Sequence, residues 1–126
     1  MAWSVKAGGA IQFTKSVNQD VARRMFDCML LAQQQLMDDL GTPYPPASVP
    51  GQYPRKRTGN LQRSVIIWPA TVRGVLNTRP RRIALWYDPR AWYGYLLIQR
   101  GRRGPDDTLR KMRSQFDRIF RAKRRE

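Results

Sequence analysis

The chain has 126 residues, 41 % of them hydrophobic and 26 % charged, a composition that suits one folded domain spanning 1–126 rather than general disorder. Twenty-four Lys and Arg face nine Asp and Glu, giving a formal charge of +15. With no His and a single cysteine, Cys28, imidazole or thiolate metal clusters, internal disulfides and histidine-based triads are all excluded.

The charge is unevenly placed. Residues 1–54 hold four basic and four acidic side chains, and residues 55–126 hold 20 and five. Such a field attracts nucleic acid, an anionic surface or an acidic protein, and its Arg bias favours fixed contacts to carboxylate or phosphate.

Residues 1–15 contain Gly8-Gly9 and the short apolar group Ala10-Ile11-Gln12-Phe13, read as an edge strand or as an arm that orders on a partner. Ser16 with Gln19 makes a capping box, which starts a long amphipathic helix. Val21, Ala22, Met25, Phe26, Met29, Leu30, Ala32, Leu36, Met37 and Leu40 form its apolar face, wide enough to pack on a sheet. Leu31 lies off that face, either as a subunit contact or as an isolated exposed side chain. Gly41 is expected in the left-handed conformation that ends the helix, and Pro43 prevents its continuation. Cys28 reads as a small buried hydrophobe.

Residues 42–59 form a long loop stiffened by Pro43, Pro45, Pro46, Pro50 and Pro54. A loop of this length inside a compact domain has a job of its own. Arg55-Lys56-Arg57 makes its end an anion-facing tip or a solvated cluster, and Tyr44 and Tyr53 are candidate anchors on a neighbouring subunit.

Thr58-Gly59-Asn60-Leu61-Gln62-Arg63-Ser64 then reads as a cap and one helical turn before the strand Val65–Trp68, which Pro69 stops. Val72–Asn77 reads as a second strand and Arg82–Tyr87 as a third, in an antiparallel meander with the long helix on one face. Trp68 and Trp86 read as core or rim packing, or as stacking platforms for bases. Asp88-Pro89 is expected to start a short helix carrying Trp92, Tyr95, Leu96 and Gln99, closed by Gly101. Arg100, Arg102 and Arg103 follow in a basic loop. Pro105-Asp106-Asp107 then opens a carboxy-terminal helix over 105–122, whose acid pair serves as caps, while Asp38-Asp39 reads as a solvated helix end. The fold class expected is therefore α+β.

From Pro50 to Ser64, with Thr58, Gly59, Leu61 and Ser64 at the matching places, the chain resembles the HK97 gp10-like family of tailed-bacteriophage head-tail connector or tail-completion proteins. The tyrosine-rich turn Trp92-Tyr93-Gly94-Tyr95 through Gly101 and the final helix continue that resemblance, with Tyr93 and Gly101 in the pattern. At Gln99-Arg100-Gly101-Arg102 the chain departs from it, since an acidic residue and Gly-Thr are common there.

The resemblance implies a non-enzymatic ring subunit of the phage neck, made in a host cytoplasm and built into the virion. Its partners would be further copies of itself, portal-adaptor or stopper proteins, and tail-terminator or tail-tube proteins, with contact to phage DNA possible and no membrane involved. No cofactor or metal is expected. Tyr44, Tyr53, Arg55, Lys56 and Arg57, with Trp92, Tyr95, Arg100, Arg102 and Arg103, are the candidate contact residues. A small basic nucleic-acid-binding module is the alternative.

Overall fold

A computed structural model describes residues 3–6, 9–13, 19–56, 59–78, 82–88 and 90–121, with the Trp92 side chain left aside. The architecture is α+β. Strands β1 (Trp3–Lys6), β2 (Ala10–Phe13), β3 (Val65–Trp68) and β4 (Arg82–Tyr87) form one antiparallel sheet in the order β1-β2-β4-β3. Helix α1 (Gln19–Asp39), about 30 Å long at 1.5 Å per residue, packs across it.

The amino-terminal segment is more than an edge strand or an arm. It is a hairpin whose second strand lies inside the sheet, with Ala10, Ile11 and Gln12 opposite Ala84, Ile83 and Arg82. Gly9 makes this possible. Its φ of +69° suits glycine, its carbonyl accepts from Leu85 N at 2.7 Å, and its N–H donates to the Asp106 carboxylate.

Alternation puts Ile83, Leu85 and Tyr87 of β4 on the inner face beside Val65, Ile11 and Phe13. Against them α1 buries Ala22, Met25, Cys28, Met29, Ala32 and Leu36. Leu30, expected on this face, is instead 43 % exposed, because the helix turns it toward solvent beside Leu31. Burial pushes the Cys28 thiol up to about 12, with the Asp27 carboxylate adding to the effect, so it packs as a hydrophobe. The capping box at Ser16 lies outside the described residues.

Gly41 has no positive φ, contrary to expectation. Helix α1 ends in a tight turn, Gly41 N to Asp38 O at 3.0 Å, while Gln62 Nε2 donates to the otherwise open Met37 carbonyl at 2.7 Å.

The middle strand of the expected meander is absent. Residues Val72–Leu76 form helix α3, and β3 pairs directly with β4. The Thr71 hydroxyl accepts from Gly74 N at 3.0 Å, so a short cap outweighs the β-branched content that favoured a strand.

Helix α2 (Asn60–Arg63) is the single turn expected after Gly59, whose φ is +81°. Helix α4 (Trp92–Gln99) does not start on Asp88. Asp88 binds Arg90 N and its guanidinium, which holds the carboxyl below its usual range, and Ala91 occupies the cap position. Its other end follows expectation: Gly101 N bonds Ile98 O, Arg102 N bonds Leu97 O, and Gly101 takes φ +87°, a Schellman closure.

The carboxy-terminal helix is two pieces, α5 (Pro105–Lys111) and α6 (Arg113–Arg121), broken at Met112. Asp107 accepts from Gly104 N at 2.9 Å, the capping role expected of it. The break lets Phe116 and Phe120 turn under the hairpin, where they meet Trp3 at 6.2 and 5.5 Å between ring centroids. Arg24 of α1 then donates to carbonyls in the last turn of α6, those of Ile119 and Phe120. Asp39 is not a solvated end either, since it pairs with Lys111 Nζ at 2.6 Å. Among the described residues no helix is long and apolar enough to cross a membrane.

Candidate interaction site

The proline-rich segment is a closed loop latched to its own domain. At its stem Lys56 N donates to Thr42 O at 2.7 Å and Tyr44 N to Lys56 O at 3.0 Å. At its tip Gly51 N donates to Gly101 O and Arg103 N to Gln52 O, both at 2.9 Å. Arg102 completes the latch by donating to Ser48 Oγ at 3.0 Å and Ser48 O at 2.8 Å. Five prolines limit the conformations of the loop before these bonds form, so ordering it costs less than for an ordinary chain.

The latch brings distant residues together. Between the loop, α2 and α4 lies a cleft of about 570 Å³ lined by Leu40, Pro54, Leu61, Leu96 and Leu97, with Asn60, Gln62 and Tyr93 among its polar groups. Arg55, Lys56 and Arg100 stand around it, and among the described residues no carboxylate lines it, although Arg55 also faces Asp38 and Asp39 in an adjoining pocket. An apolar floor rimmed by three cations fits an amphipathic acidic segment.

Of the residues singled out from sequence, Arg55, Lys56, Arg100, Gly59, Leu61 and Tyr93 therefore share one site. Arg102 is engaged in the latch, and Gly101 supplies its turn. Tyr53 turns inward, its hydroxyl 3.0 Å from Thr108 Oγ1 and its ring under Lys111 Nζ, with burial pushing its phenol up. Ser64 donates to Leu61 O at 2.6 Å and closes α2. Tyr44 is exposed on the loop, Tyr95 is 57 % exposed on α4 outside the cleft, and Arg103 is exposed next to the latch. Arg57, Thr58 and the Trp92 side chain lie outside the described residues.

Tight packing under the cleft explains Gly94. A Cβ there would stand 2.6 Å from Tyr87 Cδ2 and 2.7 Å from Leu61 Cδ1, so α4 can approach the sheet only with glycine. The Tyr87 hydroxyl is buried in this region without a hydrogen-bond partner among the described residues, and burial raises its pKa well above the phenol range. Tyr87→Phe should accordingly stabilise the chain by ~1 kcal/mol in urea unfolding at neutral pH. The gain should grow as pH rises past the ordinary phenol value, where the unfolded chain ionises Tyr87 before the folded one does. Destabilisation on losing the hydroxyl would show that it has a partner.

Two features of the surface were not singled out in the sequence as a pair. Trp68 is 60 % exposed rather than packed in core or rim, and with Ile66 it lies on the outer face of β3 beside half-buried Trp86 of β4. Leu30 and Leu31 make an exposed apolar pair on the far side of α1. Val65–Trp68 is apolar throughout and so held no sequence signal of which face would be exposed, whereas the position of Leu31 off the apolar face signalled the second. Among the described residues no three acidic or cysteine side chains converge as metal ligands do. Compared with models of known families, with curated proteins and with solved structures, the chain finds no match.

Proposed function

We propose that this chain is a non-enzymatic structural subunit of a homo-oligomeric ring in the neck of a tailed bacteriophage, joining the portal assembly to the tail. The observation that carries the reading is the meeting of Gly59, Leu61 and Tyr93, all in the motifs of the resemblance, with Arg55, Lys56 and Arg100 around one apolar cleft. A stiff latched loop forms one wall of that cleft, as a docking lip requires, and it needs no chemistry from the residues around it. The partners are further copies, a portal-adaptor or stopper ring, and a tail-terminator or tail-tube protein. The basic rim faces acidic surfaces of those neighbours rather than the DNA path, where arginines would retard the genome.

The test is to add the purified chain to phage heads and tails from an infection lacking it, and to image the products. Rings at the head-tail junction and restored joining are expected. A chain that stays monomeric and joins neither heads nor tails overturns the reading.

The second reading, a nucleic-acid-binding module, has exposed Trp68 in its favour together with the +15 charge. Single-stranded DNA retained tightly at low salt, with affinity falling steeply as salt rises and no association with neck components, would favour it.

A further inference from the structure

The two outlying apolar pairs sit on opposite sides of one two-layer unit. Helix α1 packs its buried stripe on the inner face of the sheet, which leaves Leu30 and Leu31 pointing away from the sheet at 43 % exposure each. Ile66 and Trp68 point away from α1, on the outer face of β3, at 38 % and 60 % exposure. A two-fold dimer joins one patch to itself, whereas two different patches on opposite sides are what a head-to-tail contact uses.

Charge matches the two sides. Asp27 and Asp38 share the outward stripe of α1 with Leu31 and Gln34, one or two turns apart, with Arg23 at its amino-terminal end and Asp38 also lining an open pocket with Arg55 and Arg103 of the latched loop and its neighbour. Asp20, Asp39, Asp88, Asp106, Asp107 and Asp117 each have a hydrogen-bond partner within the chain. The carboxylates of Asp27 and Asp38 have none among the described residues. On the outer face of the sheet, Arg82 lies two residues along β4 from Ala84, the register partner of Trp68, and Lys6 stands across from Ala10 at the other edge. Arg63, bonded to Asn60, and Arg90, paired with Asp88, border the same surface beside Ile66. Carboxylates without a side-chain bond stand on one apolar side, and on the other cations outnumber the single Asp88 around a tryptophan, the side chain most enriched among interface anchors.

We propose that the outward ridge of α1 in one copy, Leu30 and Leu31 with Asp27 and Asp38, packs on the outer sheet face of the next copy, Ile66 and Trp68 with Arg82. This rests on the ring reading and specifies its repeating contact, in which a second copy of this chain is the occupant of the tryptophan face. The latched cleft lies apart from Trp68 and is left for the different proteins above and below the ring.

Cysteine trapping tests the contact even when it is weak. Leu31→Cys and Trp68→Cys are made singly and together, with buried Cys28 replaced by Ala, and oxidised at the junction-forming concentration. The double variant should give a ladder of dimers, trimers and larger species on a non-reducing gel. The two single variants mixed should give heterodimer alone, and neither should link to itself. In the unlabelled chain, Trp68→Glu and Leu31→Glu should each weaken self-association about 30-fold or more with the melting temperature little changed.

Self-linking of either single variant would mean a two-fold contact and would overturn the proposal. Rings that form without a ladder would overturn this contact and leave the ring reading standing, while a chain that never meets another copy, alone or on heads, removes both. Tryptophan fluorescence quenched by a single-stranded oligonucleotide in the parent chain but not in Trp68→Phe, with no ladder, would give the tryptophan face to nucleic acid instead.

Discussion

Gly9→Ala is expected to destabilise the folded chain by about 3 kcal/mol or more, a large fraction of the roughly 5–15 kcal/mol that holds a domain of this size. Three effects add at this position. A left-handed alanine costs about 1 kcal/mol relative to glycine, and φ at Gly9 is +69°. The new Cβ would stand 2.0 Å from the Leu85 carbonyl oxygen, a backbone atom that cannot rotate aside. Relieving that contact moves the hairpin off β4, which breaks the bonds from Leu85 N to Gly9 O and from Gly9 N to Asp106. Each buried group left unpaired adds about 1–3 kcal/mol. Gly51→Ala is the control, for its φ is +89° but nothing lies within 4 Å of the added methyl, so only the backbone cost of about 1 kcal/mol applies. Urea midpoints compared across the two variants decide the matter, and equal losses would mean that the hairpin accommodates the methyl without leaving β4.

On the proposed neck function, reversing the three cations of the cleft, Arg55→Glu with Lys56→Glu and Arg100→Glu, is expected to abolish joining of heads to tails, with at least about a 100-fold loss of affinity for the proposed acidic partner. Lys56 and Arg100 are exposed and Arg55 half-buried, no carboxylate among the described residues lines the cleft, and Asp38 and Asp39 meet Arg55 only in a second, open pocket where solvent screens repulsion. Folding should therefore change by less than about 1 kcal/mol. Binding to an acidic segment should suffer more, because like charges brought together at an interface cost several kcal/mol. Normal joining by a folded triple variant would mean that these side chains are solvated and that the apolar floor has no acidic occupant. Replacement of all three by Gln separates charge from repulsion, since it removes attraction alone and should reduce joining to a lesser extent.

How much of this was legible in the sequence follows the range of the interactions involved. Helix α1, strands β3 and β4, the Gly101 closure and the Pro105 start were all readable, because hydrophobic period and cap chemistry act within a few residues. The α+β class followed from them. Segment 72–77 misled because its β-branched content and its Thr71 cap pointed in different directions, and the cap prevailed once β3 and β4 paired with each other. The place of β2 inside the sheet was not readable, since the contact of Ala10 with Ala84 is set by closing most of the chain.

The candidate site divides in the same way. Arg55, Lys56 and Arg100 were identifiable one by one as cations at loop ends, but their meeting depends on Gly51 bonding Gly101 and Arg102 holding Ser48. Composition determined by itself that the chain carries a large positive charge and has no histidine with which to do acid-base chemistry. Only the tertiary structure decided which charges stand together and that Trp68 faces outward, because both depend on where separate segments pack, and no local pattern encodes that.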